Sequence, residues 1–154
     1  MQKKILIISD SHGNTSRLTH ILKTELPVDI IIHCGDGAND LDELNLPHTI
    51  TLIRVNGNMD RCQPNSFPRI ARETINTKKT IITHGDHFRV NEDCSLLLQQ
   101  GQREGADLIL FGHTHVAFHQ PGPPILFNPG PANNGMYGIV TIIDNAITCR
   151  HHKI

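Results

Sequence analysis

Four short apolar runs in this chain each stop at a cluster of polar residues. Ile5-Leu6-Ile7-Ile8 leads into Asp10-Ser11-His12, and Ile30-Ile31-Ile32 leads into Gly35-Asp36. Ile81-Ile82 precedes His84-Gly85, and Leu108-Ile109-Leu110-Phe111 precedes Gly112-His113-Thr114-His115. A fifth cluster, Gly57-Asn58, follows the alternating stretch Thr49 to Val55. Near-continuous β-branched and aliphatic runs of this length read as strands buried on both faces. Strands that all end in Asp, Asn or His deliver polar groups to one sheet edge. The crevice outside the strand ends is where open α/β sheets bind ligands.

The seven side chains gathered this way are Asp10, His12, Asp36, Asn58, His84, His113 and His115. They combine carboxylate, amide oxygen and imidazole and include no thiolate. Such a set suits a pair of Mn²⁺, Fe or Zn²⁺ ions better than a structural zinc knot. Each cluster also has a plainer reading on its own. Gly35-Asp36 and Gly57-Asn58 are ordinary turn dipeptides, and His84 could bond a carbonyl at a strand end. Gly112-His113-Thr114-His115 is the most specific, because two imidazoles two residues apart can face different ions.

Further along the chain, Lys3 to Ser9 and Val28 to His33 read as strands, and Thr15 to Leu26 as a helix. Asn14 or Thr15 would cap that helix, and Pro27 would close it. A short helix is expected near Asn39 to Leu44, then strands at Thr49 to Val55, Phe67 to Thr74 and Lys79 to Thr83. Glu92 to Arg103 reads as a second helix with Leu96, Leu97 and Gln100 inward, before the strand Asp107 to Phe111. After His115, Ile125 to Phe127, Gly138 to Ile143 and Ala146 to Arg150 read as short antiparallel strands, the last two joined by Asp144-Asn145. Alternating strand and helix followed by mostly strand suggests two packed sheets with helices outside.

Length and composition bound the rest. A chain of 154 residues fits one domain, 1–154. Lys and Arg number 14 against 15 acidic residues, so nothing points to nucleic acid or an anionic membrane as partner. No apolar run approaches the roughly 20 residues that span a bilayer. The expected compartment is the cytoplasm, with Cys34, Cys62, Cys94 and Cys149 as free thiols. Among the 11 histidines, His20, His48, His119, His151 and His152 read as surface residues.

The ordered clusters together resemble the calcineurin-like metallophosphoesterases, whose pattern is Asp-x-His, Gly-Asp, Gly-Asn-x-Asp/Glu, His and Gly-His-x-His. Their spacing, the short chain and Asn128-Pro129-Gly130 make it most similar to the small YfcE-like phosphodiesterase group. The resemblance implies an α/β fold, a four-layer α-β-β-α sandwich of two mixed β-sheets packed face to face and flanked by helices. It implies that Asp10, His12 and His115 hold one divalent ion and Asn58, His84 and His113 the other, with Asp36 bridging. Mn²⁺ is the expected metal, with Fe, Ni²⁺ or Zn²⁺ as alternatives set by availability.

Two cations about 3.5–4 Å apart can clamp a phosphoryl oxygen and acidify a bridging water, whose hydroxide attacks phosphorus in line. The expected reaction is hydrolysis of a small phosphodiester, with Asp10, Asp36, Asn58 and His84 central to it. Asp60 and Asp86 are candidates to orient imidazoles, and Arg17, Arg61 and Arg89 to contact phosphate. Many relatives carry a proton-donating His where this chain has Met59. Members of the YfcE-like group commonly follow Asn-Pro-Gly with Ser and, a few residues on, Arg, where this chain has Pro131-Ala132-Asn133-Asn134-Gly135. Rival expectations are a phosphomonoesterase, or a catalytically weak scaffold of the same fold that works through protein contacts, as the eukaryotic retromer subunit does. Relatives of this type commonly self-associate, which allows a homo-oligomer and leaves the oligomeric state open.

Overall fold

The computed structural model describes residues 1–60 and 66–154; Arg61 and Cys62 lie outside the described residues. Strand β1 (Gln2–Ile8) sits at the centre of the first sheet, parallel to β2 (Ile30–His33), which is parallel in turn to β3 (Thr51–Arg54). On its other side β1 pairs antiparallel with β9 (Met136–Ile143), which pairs antiparallel with β10 (Ala146–Lys153). The second sheet is built from β4 (Ile70–Ile75), β5 (Lys78–Thr83), β6 (Leu108–Leu110), β7 (Phe118–Gln120) and β8 (Ile125–Asn128). Its order is β4-β5-β6-β8-β7, with β5, β6 and β8 parallel and the two edge strands antiparallel.

The side-chain alternation of a strand explains why these segments are apolar throughout. Ile5, Ile7 and Ile32 point between the sheets, against Ile82, Leu108, Leu110 and Phe127. Leu6, Ile8 and Ile31 point the other way, under Leu18, Ile21 and Leu22 of helix α1 (Thr15–Glu25). On the far side Ile81, Ile109 and Phe111 pack with Leu97 of helix α2 (Ser95–Glu104). The layers therefore run α-β-β-α, the expected architecture.

Helix α1 is capped as its sequence suggests, with the Asn14 side chain accepting from the Arg17 N–H at 3.2 Å. Helix α2 starts later than expected, at Ser95 rather than Glu92. Asp93 Oδ1 accepts from both the Ser95 N–H at 2.8 Å and its hydroxyl at 2.6 Å, which holds the preceding residues in a turn. Leu97 is fully buried, but Leu96, expected inward, is 42% exposed. The strand expected from Phe67 begins only at Ile70, and that from Thr49 only at Thr51.

The last third departs further from expectation. Ile125 to Phe127 is antiparallel only to β7 and lies in a different sheet from β9 and β10. It joins β6 in parallel, Leu108 opposite Ile125, and Phe118–Gln120 adds an unanticipated edge strand. A three-residue strand carries too little periodicity to be read. The β9–β10 hairpin turns at Asp144-Asn145 as expected, with Ile143 opposite Ala146, and β10 continues to Lys153. His151 and His152 are not simply solvated. His151 stacks on Phe127 at 4.4 Å and meets the Asn128 carbonyl at 2.7 Å, while His152 stacks on Tyr137 at 5.3 Å. Among the described residues no helix is long and apolar enough to cross a membrane.

Candidate metal centre

Parallel strands from both sheets end at the same side of the sandwich, and the polar clusters follow those ends. Five of the seven predicted ligands leave their strands with positive φ: Asp10 at 55°, His12 at 47°, Asp36 at 57°, His113 at 71° and His115 at 58°. Left-handed backbone is uncommon outside glycine, though Asp, Asn and His tolerate it best, and it clusters at functional sites. Close approach by the glycine loops completes the packing. A Cβ on Gly57 would lie 2.1 Å from Asp36 Oδ1, and one on Gly112 would lie 2.8 Å from Asp10 Oδ2.

These turns bring six ligands into two triads, Asp10/His12/His115 and Asp36/His84/His113, the ligand atoms of each within 4.8 Å of one another. Asp10 Oδ2 is occupied: it accepts from the Ser9 hydroxyl at 2.6 Å and the His113 N–H at 3.2 Å. Asp10 Oδ1 is buried without a hydrogen-bond partner among the described residues. Three imidazole nitrogens surround that oxygen, Nε2 of His115 at 3.1 Å, of His12 at 3.7 Å and of His84 at 3.9 Å. Asp36 is divided likewise: Oδ1 accepts from the Met59 N–H at 2.8 Å, while Oδ2 faces His84 at 3.2 Å and His12 at 4.0 Å. Its second oxygen thus lies toward both triads. Asn58 Oδ1 is also buried and lacks a partner among the described residues.

His84 shows what these bare oxygens require. Its Nδ1 meets the Cys34 carbonyl at 2.8 Å, and a carbonyl only accepts, so Nδ1 carries the proton. In the neutral ring, Nε2 then presents a lone pair to Asp36 Oδ2 and to His113 Nδ1 at 3.2 Å. Lone pairs facing one another across a buried site are repulsive unless positive charge lies between them. Burial alone would lower the His84 pKa, but the Asp36 hydrogen bond and the Asp10 and Asp36 charges outweigh it and raise it. Burial likewise opposes Asp36 ionisation, yet His84 holds that carboxyl below its ordinary value. His113 is lowered, first by burial and then by the neighbouring His84. Unpaired carboxylate oxygens beside imidazole nitrogens fit divalent cations, and the buried Asn58 oxygen is a further candidate donor.

A second layer of residues fixes the ligands, and most of it was not anticipated. Buried His33 accepts from the Gly35 N–H at Nδ1 (3.1 Å), so its Nε2–H donates to Ser11 Oγ (2.8 Å). The Ser11 hydroxyl donates to Asp40 Oδ2 at 2.6 Å, which also accepts from the Gly13 N–H at 2.8 Å. This chain ties the Asp10–His12 turn to the Asp36 loop. Asn128 donates to Gly112 O and to Thr114 Oγ1, each at 3.0 Å, and holds the His113–His115 turn. The Asn91 amide meets His113 Nε2 at 3.0 Å, and turning its oxygen to the ring leaves Nδ1 free to ligate. Of these, Ser11 and Asn128 stood in motifs singled out in the sequence, whereas His33, Asp40 and Asn91 had no expected role at the site.

Several expected roles move. Asp60 does not orient an imidazole. It accepts the N–H groups of Asp36 and Gly57 at 2.8 Å and of Gly37 at 2.9 Å, binding the two loops together. Asp86 pairs with Arg69 at 2.7 Å rather than with a ligand. Arg89 pairs with Glu92 at 3.2 Å, Arg17 lies exposed on α1, and Arg61 is outside the described residues. The Pro131–Gly135 segment supports the Asp10 turn: Ala132 N–H donates to Ser9 O at 2.8 Å and Asn133 N–H to Asp10 O at 3.1 Å, and the Asn133 side chain accepts from the Asn14 amide at 3.1 Å. Cys34, Cys94 and Cys149 are free thiols, and Cys62 is outside the described residues.

Comparison with known proteins identifies the family. Residues 3–142 match the calcineurin-like phosphoesterase superfamily domain. The chain is 31% identical over 157 residues to a probable metallophosphoesterase of Bacillus subtilis, covering 96% of this chain and 89% of that one. A conserved protein of Streptococcus pneumoniae, itself a predicted phosphoesterase, superposes with a TM-score of 0.79 at 26% identity, covering 99% of this chain and 90% of its own. Two more distant structures share the fold with a TM-score of 0.73. One is an archaeal phosphodiesterase, 24% identical over 98% of this chain and 99% of its own. The other is Vacuolar Protein Sorting 29 of Cryptosporidium parvum, 17% identical over 99% of this chain and 98% of its own. With its strand-end ligand set and a family match over most of its length, this chain belongs to the calcineurin-like phosphoesterase superfamily of metal-binding phosphoester hydrolases.

Proposed function

We propose that this protein is a divalent-metal-dependent phosphodiesterase with two ions. Asp10, His12 and His115 would hold one ion, and Asn58, His84 and His113 the other. Asp36 would serve both, and Mn²⁺ is the first candidate among Mn²⁺, Fe, Ni²⁺ and Zn²⁺. The observation that carries this reading is the pair of adjoining triads with Asp36 Oδ2 facing an imidazole of each, 3.2 Å from His84 and 4.0 Å from His12. When bound, such ions supply positive charge for a phosphoryl group and lower the pKa of coordinated water.

The chain's own residues do the rest. Asp36 would offset repulsion between the cations, and the neutral Asn58 oxygen would leave its ion more electrophilic than a carboxylate. Cys34 O keeps the His84 proton on Nδ1, so that Nε2 is available. Met59, 65% exposed, cannot protonate a leaving group, a function typically worth roughly 10²–10⁴-fold. Esters with good leaving groups should therefore be favoured, and poor alkoxides should suffer most. The archaeal phosphodiesterase of the same fold supports the preference for diesters.

Hydrolysis of bis(p-nitrophenyl) phosphate and p-nitrophenyl phosphate after Mn²⁺ loading tests the proposal. Diester turnover that stops on chelation and falls at least 100-fold in Asp36→Ala is expected. A faster monoester reaction would reassign the substrate class. Absence of metal-dependent turnover above the Asp36→Ala level would favour a scaffold role, which the shared fold with Vacuolar Protein Sorting 29 keeps as the rival.

A further inference from the structure

A groove of about 480 Å³ runs beside the candidate metal centre, within the roughly 300–1,000 Å³ of small-molecule sites. Val90, Cys94, Val116 and Phe118 form apolar walls, and the amides of Asn91 and Gln120 edge it. It is continuous with the ligand loop. Thr114, which also lines it, separates His113 from His115, Val116 follows His115, and Asn91 touches His113 Nε2 at 3.0 Å. Val116 is 63% exposed, an aliphatic side chain left in water directly beside a ligand. Asp93 on the same lining places negative charge there, which disfavours a second phosphate.

We propose that this groove binds an uncharged aromatic ring carried by one ester oxygen of the substrate. The apolar walls would take the ring faces and the two amides its polar edge. The substrate class is then a ring-bearing phosphodiester rather than a simple alkyl diester. The proposal rests on the phosphoester reading of the metal centre, but its test does not need turnover.

Phenylphosphonate and methylphosphonate present the same charged group to the metals and differ in the ring. Calorimetric titration of the Mn²⁺-loaded protein should give about ten-fold tighter binding of phenylphosphonate, the scale expected for partial burial of a ring. Val116→Asn, a neutral change at an exposed position, should reduce that preference at least three-fold and leave methylphosphonate affinity unchanged. Phe118→Ala should do the same. Equal affinity for the two phosphonates, or a preference untouched by both variants, would overturn the proposal. If the preference holds while no diester is hydrolysed, the reaction assignment fails and the groove stands; if diesters turn over without a ring preference, the groove alone fails.

Discussion

His33 is neutral at ordinary pH because of where it is buried. Burial is the largest cause that pulls its pKa from 6.5 down to about 3, against a rise from Asp60. The unfolded chain binds a proton at His33 below about pH 6.5, whereas the folded chain does not until about pH 3. Stability therefore falls on acidification across that window, at up to about 1.4 kcal/mol per pH unit from this residue, and the effect is absent above it. Urea unfolding of wild type and His33→Asn, in chelator at about pH 4, 5 and 6, should show the steeper pH slope in wild type. Equal slopes would refute the assignment. His33 was passed over in the sequence because nothing local marks it. Its partner Ser11, and Asp40 bonded in turn to Ser11, come from other elements.

At the scale of elements, ligand geometry depends on loops pressed against one another. The Gly57 turn after β3 lies so close to the Asp36 turn after β2 that a Cβ there would meet Asp36 Oδ1 at 2.1 Å and Asp36 N at 2.6 Å. Gly57→Ala must displace the carboxylate or its loop, while the buried strands remain as they are. Overpacking of this kind costs about 1–3 kcal/mol of stability. Displaced supporting contacts lower metal affinity typically about 10–100-fold. Metal titration alongside thermal unfolding measures both, and unchanged metal affinity in a folded Gly57→Ala protein would contradict this account. The strands themselves were legible, since runs such as Ile5 to Ile8 can be apolar on both faces only between two layers. Strand β7 was not, and neither was the parallel partnership of β8 with β6, because three or four residues do not record which strand they adjoin.

For the whole molecule, candidate ligands drawn from both sheets would couple metal binding to folding. The unfolded chain scatters Asp10, Asp36, His84 and His115 across most of its length, so a cation that needs them together binds the folded state. At 100 times its dissociation constant such a ligand adds about 2.7 kcal/mol. For a domain near this size that corresponds to a Tm rise of about 5–10 °C. Thermal scans with Mn²⁺ and with chelator should differ by that amount in wild type and by little in Asp36→Ala. An equal rise in the variant would mean that the stabilising ions sit elsewhere.

Residue chemistry and strand period are local properties, and they sufficed to mark apolar strands ending in Asp, Asn and His and to imply a metal site at a sheet edge. Packing alone settled which strands share a sheet, and that the polar ends of both sheets meet on one side. It also determined the proton position on His84, through a carbonyl 50 residues away at Cys34, and it divided the Asp10 and Asp36 oxygens between support and site. Such contacts join segments remote in sequence, so their geometry exists only once the two sheets have closed on one another.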